Sequence, residues 1–196
     1  MAWNIDPVHT HVGFSVKHLM VSTVRGQFKK YAGTLNLDPK DFTKSSFAAQ
    51  IDVASIDTEN KDRDAHLRTN DFFDAANHPL ITFTSTRIEA KGGSEYTMWG
   101  DLTIRGVTKE VPLAVEFNGT AKSPFGTTVF GLSARGSVIR KDFGVSFNAA
   151  LETGGVVVGD KVNLEIELEA TEVAESVSPQ LAAQAAQRPA EVTTRR

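Results

Sequence analysis

The stretch KVNLEIELEA, Lys161–Ala170, alternates without a break. Val162, Leu164, Ile166, Leu168 and Ala170 hold one parity; Asn163, Glu165, Glu167 and Glu169 hold the other. A period of two marks a strand with one face buried and one face in water. On a helix the same residues would scatter round the surface. The pattern recurs along the chain. Val12, Phe14 and Val16 alternate with Gly13, Ser15 and Lys17, and Phe47, Ala49, Ile51 and Val53 with Ala48, Gln50 and Asp52. Met98–Ile104 and Val111–Phe117 repeat it, and further strands are expected around 27–37, 80–88 and 129–139. About eight long strands result, set apart by turn signals such as Lys91-Gly92-Gly93-Ser94 and Ser123-Pro124-Phe125-Gly126. Arg105–Glu110, RGVTKE, reads as a tight hairpin turn in which Gly106 supplies a positive φ.

Antiparallel strands with one polar face pack as a sandwich or close into a barrel. Short turns favour an up-and-down meander, and closure removes both exposed edges. The expected fold is therefore all-β: a lipocalin-like barrel of about eight antiparallel strands with a short helical insert. Such a tube is roughly 25 Å deep and suits a chain-like ligand better than a round one. The insert is expected in TENKDRDAHLRTNDFFD, Thr58–Asp74, with Thr58 as the cap and a second turn at Asn70–Phe73. Residues 1–170 form the expected barrel domain. Residues 171–196, rich in Ala, Gln and Glu and interrupted by Pro179 and Pro189, form an expected disordered or weakly helical tail.

Bulk properties narrow the function. A chain of 196 residues suits one barrel plus its tail. The net charge of -3, from 21 Lys and Arg against 24 Asp and Glu, argues against nucleic acid as a partner. The absence of cysteine excludes disulfides, thiolate metal sites, iron–sulfur clusters and a catalytic thiol. No apolar run reaches the roughly 18 residues of a membrane-spanning helix. The N-terminal MAWNIDPVH lacks a basic segment followed by an apolar one, so the expected location is cytoplasmic, or periplasmic or extracellular if a leader was removed.

Six segments, in order, carry a resemblance: DPVHTHVGFSVKHLMVSTVRGQF (6–28), RDAHLRTNDFFD (63–74), HPLITFTST (78–86), GDLTIRGVTKEVPL (100–113), IRKDFG (139–144) and VGDKVNLEIELEA (158–170). Together they resemble the YceI-like family of polyisoprenoid-binding, lipocalin-like lipid-binding proteins, over Trp3 to Ala170. The resemblance implies an extended antiparallel barrel with a helix, holding a long amphiphilic molecule such as a polyprenyl phosphate or a quinone precursor in its pore. It implies neither a catalytic triad nor an obligatory metal. Many members carry an export leader that is not seen here, so a periplasmic role does not transfer, and nothing about the tail carries over.

The residues themselves agree with a non-enzymatic binder. His9, His11 and His18 are three of five histidines. On an extended strand His9 and His11 share one face, while His18 takes the inward parity of Val12, Phe14 and Val16. The three do not converge as a zinc site requires, so no metal and no cofactor is expected. His9 and His11 are expected to bond loop backbone near the mouth; His18 is a candidate for a ligand's polar end. There is no G-x-S-x-G elbow and no phosphate-cradling loop. Either Arg63, His66 and Arg68 stand near the mouth and meet an anionic headgroup, or Asp62, Arg63 and Asp64 form a solvated helix surface with Leu67 as its anchor; a salt bridge from Arg63 into the barrel is a third reading. Arg140 and Asp142 are expected to pair across a turn. The rival readings are an enzyme on a hydrophobic substrate, with His9, His11 or His66 as acid or base, and an interaction module.

Inward parity names the candidate ligand-binding residues. They are Phe14, Val16 and His18; Phe28 and Leu35; Ile51 and Val53; Phe83; Met98, Leu102 and Ile104. Leu113, Val115 and Phe117, then Phe130 and Leu132, then Leu164 and Ile166 complete the set. Small inward residues, Gly26, Gly33, Ala49, Gly100, Ala134 and Gly136, leave room between the aromatic ones. Parity alone does not separate a hollow barrel from a filled one. The expected partner is one long-chain lipid, an isoprenoid by the resemblance, and a homodimer is compatible with the pattern.

Overall fold

Alternation resolves into one antiparallel sheet in the computed structural model, which describes residues 3–38, 40–124, 126–149 and 157–172. Its strands are β1 (Trp3–Ile5), β2 (His11–His18), β3 (Ser22–Phe28), β4 (Tyr31–Asn36), β5 (Ser46–Asp52) and β6 (Ile56–Asp57). After helix α1 (Lys61–Leu67) come β7 (Leu80–Gly92), β8 (Glu95–Ile104), β9 (Val107–Lys122), β10 (Thr128–Ile139) and β11 (Val158–Glu172). The order across the sheet is β4-β5-β7-β8-β9-β10-β11-β2-β3-β6, with β1 added on β11.

Eleven strands reduce to the expected eight walls once two bends are recognised and β1 is counted with β2, since the two pair with successive parts of β11. β3 and β4 are one strand bent at Lys29–Lys30. β5 and β6 are one strand bent by a 3-10 turn at Val53–Ser55. Pairing continues across both bends, Lys29 N to Ser55 O at 3.2 Å and Asp52 N to Lys30 O at 2.9 Å. The two ends of the sheet therefore meet through the chain itself, and the sheet curls into a barrel. β4 has no ladder partner on its outer edge; β1 packs beside it, Ile5 reaches over Gly33, and the Tyr31 hydroxyl donates to Thr10 O at 2.8 Å.

Register keeps the apolar faces together. On β11, Leu164 lies between Phe14 and Gly136, and Ile166 between Val12 and Ala134. A one-residue slip would turn every one of these side chains outward. Some inward glycines receive aromatic rings. A Cβ on Gly26 would meet Phe14 at 2.4 Å, and one on Gly100 would meet Phe83 at 2.3 Å. One end of the barrel is solid: Trp3, Phe42, Phe47 and Phe130 pack there, with Trp3 edge-on to Phe130 at 4.9 Å and Phe42 stacked on Phe117 at 4.9 Å.

The other end is covered by α1 and the loops beside it. The helix is shorter than Thr58–Asp74 and its cap is Asn60, whose Oδ1 accepts from Arg63 N at 3.0 Å. Thr58 is buried instead, and its N–H and hydroxyl both go to Asp64 Oδ1 at 2.9 and 2.5 Å. Residues 69–73 form turns rather than a second helical segment. The β8–β9 hairpin turns on Arg105 (φ 50) and Gly106 (φ 73), as a two-residue turn with left-handed central residues demands. The β2–β3 hairpin has a three-residue loop between His18 and Ser22, with Leu19 (φ 50) and Met20 (φ 61) left-handed and Val21 N closing onto His18 O at 3.1 Å. Non-glycine residues there cost roughly 1–2 kcal/mol each. At the C-terminal side, Thr171 and Glu172 still belong to β11. The expected tail from 173 to 196 lies outside the described residues.

Candidate ligand-binding cavity

Between the solid end and α1 the barrel is hollow. The cavity has a volume of about 250 Å³. Many residues chosen by parity line it: Phe14 and Val16 on β2, Phe28 on β3, Leu35 on β4, Ile51 on β5 and Phe83 on β7. Met98, Leu102 and Ile104 on β8 do so too, with Leu113 on β9, Leu132 on β10, and Leu164 and Ile166 on β11. Ala49 and Ala134 widen it.

Five of the expected residues are elsewhere, for stated reasons. Val115, Phe117 and Phe130 pack into the ring-filled cluster at the solid end. Val53 sits on the 3-10 turn and is 2% exposed within the core beside α1. His18 does not line the cavity. The register between β11 and β2 jumps from Val162↔Val16 to Val158↔His18, and this bulge leaves His18 half-buried at the rim.

Several lining residues escape a strand-parity reading. Ile5, Thr10 and Tyr31 come from the seam where β4 has no ladder partner. Leu67, Phe72 and Phe73 come from α1 and its following turn; Arg140, Phe143 and Val145 follow β10. The signal for the latter two groups was aromatic residues inside polar loops, NDFFD and KDFG.

The polar groups at the wall are already engaged. Arg140 is 5% exposed. Its Nε donates to Gly159 O at 3.0 Å, Nη1 to Val145 O at 2.8 Å and Phe147 O at 2.9 Å, and Nη2 to Val158 O at 3.3 Å. Asp160 Oδ1 lies 3.5 Å from Nη2, so the ion pair is with Asp160 and not Asp142. Burial lowers the Arg140 pKa and Asp160 opposes that shift. Tyr31 is spent on Thr10 O; the Thr10 hydroxyl donates to Glu169 O at 3.2 Å. Burial also raises the Tyr31 pKa, so its hydroxyl stays protonated as a donor.

The RDAHLR cluster holds loops rather than facing the cavity. Arg63 Nε and Nη2 reach Thr58 Oγ1 and O at 2.7 and 2.6 Å. Arg68 donates to Ala54 O and Ile56 O, and His66 pairs with Asp71 at 2.8 Å. Among the described residues Arg63 therefore makes no salt bridge into the barrel. Among the described residues no histidine lines the cavity. His9 bonds Asp6 Oδ2 at 2.9 Å, with Glu169 Oε1 at 3.6 Å, instead of the loop backbone. The hydrogen bond lowers the Asp6 pKa and raises that of His9. Their ligand atoms and that of Glu169 lie within 4.8 Å of one another, a spacing that would admit a metal ion, but the imidazole already has its partner. The His11 ring is exposed and crosses Gly13.

The YceI-like domain profile matches residues 3–170. The chain is similar to the UPF0312 protein of Staphylococcus epidermidis, 44% identical over 168 residues that cover 85% of this chain and 95% of that one. The crystal structure of Burkholderia cenocepacia BcnA superposes with a TM-score of 0.76 at 27% identity, covering 86% of this chain and 100% of the other. A polyisoprenoid binding domain from Saccharophagus degradans, implicated in plant cell wall breakdown, superposes at 0.68 with 14% identity, covering 88% and 99%; it shows a shared fold.

Proposed function

The chain belongs to the YceI-like family, and on that premise we propose that it holds one long-chain amphiphilic lipid inside the barrel, for carriage, storage or sequestration and without a chemical step. The chemical class proposed is an isoprenoid, such as a polyprenyl phosphate or a quinone-type chain. One observation carries the reading: an apolar cavity whose few polar wall groups are all satisfied by the protein. Such a wall offers a ligand carbon contacts and no free hydrogen bond. Each methylene moved into it from water contributes about 0.8 kcal/mol, so affinity grows with chain length and selectivity comes from shape. A volume of about 250 Å³ lies just below the roughly 300–1,000 Å³ of small-molecule pockets, which suits a single narrow chain. The polyisoprenoid binding domain from Saccharophagus degradans shares the fold in which this class of ligand is proposed to sit.

Catalysis by histidine has no support in the geometry, since His9, His11 and His66 are exposed and away from the cavity. Native mass spectrometry of gently purified protein, followed by solvent extraction, tests the proposal. A bound species with the mass of a prenyl chain is expected, or uptake of geranylgeraniol by emptied protein. Protein that carries no lipid and takes up no prenyl chain overturns it.

A further inference from the structure

The end of the barrel covered by α1 exposes apolar side chains to water. Strand register places several loops there: Val158 pairs with His18, Ile139 with Lys161 and Thr82 with Thr103, while Arg105 Nη1 reaches Phe72 O and Gly144 O. On these loops Leu19, Met20 and Val21 are exposed, as are Leu80, Val107, Ile139 and Phe147. Val21 is 82% and Met20 57% exposed. At the solid end, among the described residues, Val8 is the exposed large apolar side chain.

We propose that this end docks on a lipid bilayer, with the Leu19–Met20–Val21 tip entering the boundary between headgroups and acyl chains. Its purpose, exchange of the cavity's chain with the membrane, rests on the lipid-binding reading above. Three observations point to a bilayer. The tip keeps Leu and Met at two left-handed positions where Asn-Gly would relax the turn, so the apolar side chains stand in water despite an unfavourable backbone. An apolar path runs inward from this surface: the Phe147 ring lies 5.2 Å from Phe72, and Phe72 lines the cavity. A prenyl chain using that path would avoid crossing water.

The third observation separates a bilayer from a second copy of this chain. The exposed side chains come from separate loops and are interleaved with exposed Lys17, Lys141 and Asp142. The core of a homodimer interface is apolar and depleted in charge. A fluid interface instead accepts apolar tips while the charged ends stay among the headgroups. Because the charges are of both signs, the matching surface is zwitterionic.

Flotation of the full chain with phosphatidylcholine vesicles tests the proposal, comparing wild type with Leu19→Asn/Met20→Gly. The variant supplies the residues that its turn geometry prefers, so its thermal unfolding is expected at or above the wild-type temperature. Wild type is expected to float, and the variant to lose at least ten-fold in partition while still taking up detergent-dispersed geranylgeraniol. Wild type that stays in the aqueous fraction overturns the proposal, as does a variant that floats equally well. A wild-type dimer that the variant dissociates, with no vesicle binding by either, assigns the surface to self-association and overturns it too. Wild type that floats but takes up no prenyl chain leaves docking standing and removes the lipid-binding reading instead.

Discussion

At one end of the barrel Trp3, Phe42, Phe117 and Phe130 fill the lumen with rings; at the other, arginines hold loops over it. Arg63, Arg68, Arg105 and Arg140 all donate to main-chain oxygens there. Ring packing is dense and unforgiving of lost volume. Hydrogen bonds from a guanidinium to carbonyls can open singly and re-form. The contrast assigns stability to the solid end and exchange to the α1 end.

The largest expected effect breaks the solid end. Phe130→Ala removes a ring that is 1% exposed and is expected to lower the unfolding free energy by about 3–5 kcal/mol in urea titrations, with the slope unchanged. A loss below about 1 kcal/mol would mean that the solid end does not carry stability as argued.

Arg105→Met probes the other end. It strips the donor from Phe72 O and Gly144 O and is expected to cost about 1.5–3 kcal/mol. Here the informative measurement is chain release, expected to be faster than wild type, whereas Phe130→Ala at matched stability leaves it unaltered. Equal release rates in the two variants would erase the distinction between the ends.

Between them, Ala134→Leu adds volume to the cavity wall. Prenyl-chain uptake by native mass spectrometry is expected to fall at least ten-fold, and overpacking costs about 1–3 kcal/mol at most. Undiminished uptake would place the chain outside the barrel.

The smallest effect is a pH dependence at the seam. His9 has a raised folded pKa, so its contribution is fully present below its unfolded value of about 6.5 and is lost as pH rises through the folded value. Asp6 has a lowered folded pKa, so its contribution is present above about 3.8 and is lost as pH falls through the folded value. His9→Asn should therefore melt slightly below wild type near pH 5 and level with it at alkaline pH. A gap that widens as pH rises would contradict the pair.

The walls were legible because alternation depends on nearest neighbours along one strand. No single parity runs through the strand that bends. Phe28 and Leu35 have opposite parity yet both face the cavity, because the bend at Lys29–Lys30 resets the count. Past the β11 bulge, His18 leaves the face that Val16 keeps. The α1 end was illegible for another reason. Its arginines bind carbonyl oxygens, which every residue possesses, so no complementary side chain marks the partner in the sequence. Arg140 was expected to pair with Asp142, two residues on, and instead holds Gly159 O and Val158 O.

β11 lies between β10 and β2, and Thr10 donates to Glu169 across a separation of 159 residues. The first long strand therefore waits for the last before it has a partner on that side. At translation rates of about 5–20 residues per second, that wait is roughly ten to thirty seconds. Throughout it the edge of β2 that β11 will pair has no ladder partner. Closure by such distant pairing is slow, on the milliseconds-to-seconds scale of high-contact-order β proteins. The nascent chain is thus the stage at which this barrel is most open to aggregation, and the release of β11 sets the moment at which a lumen first exists.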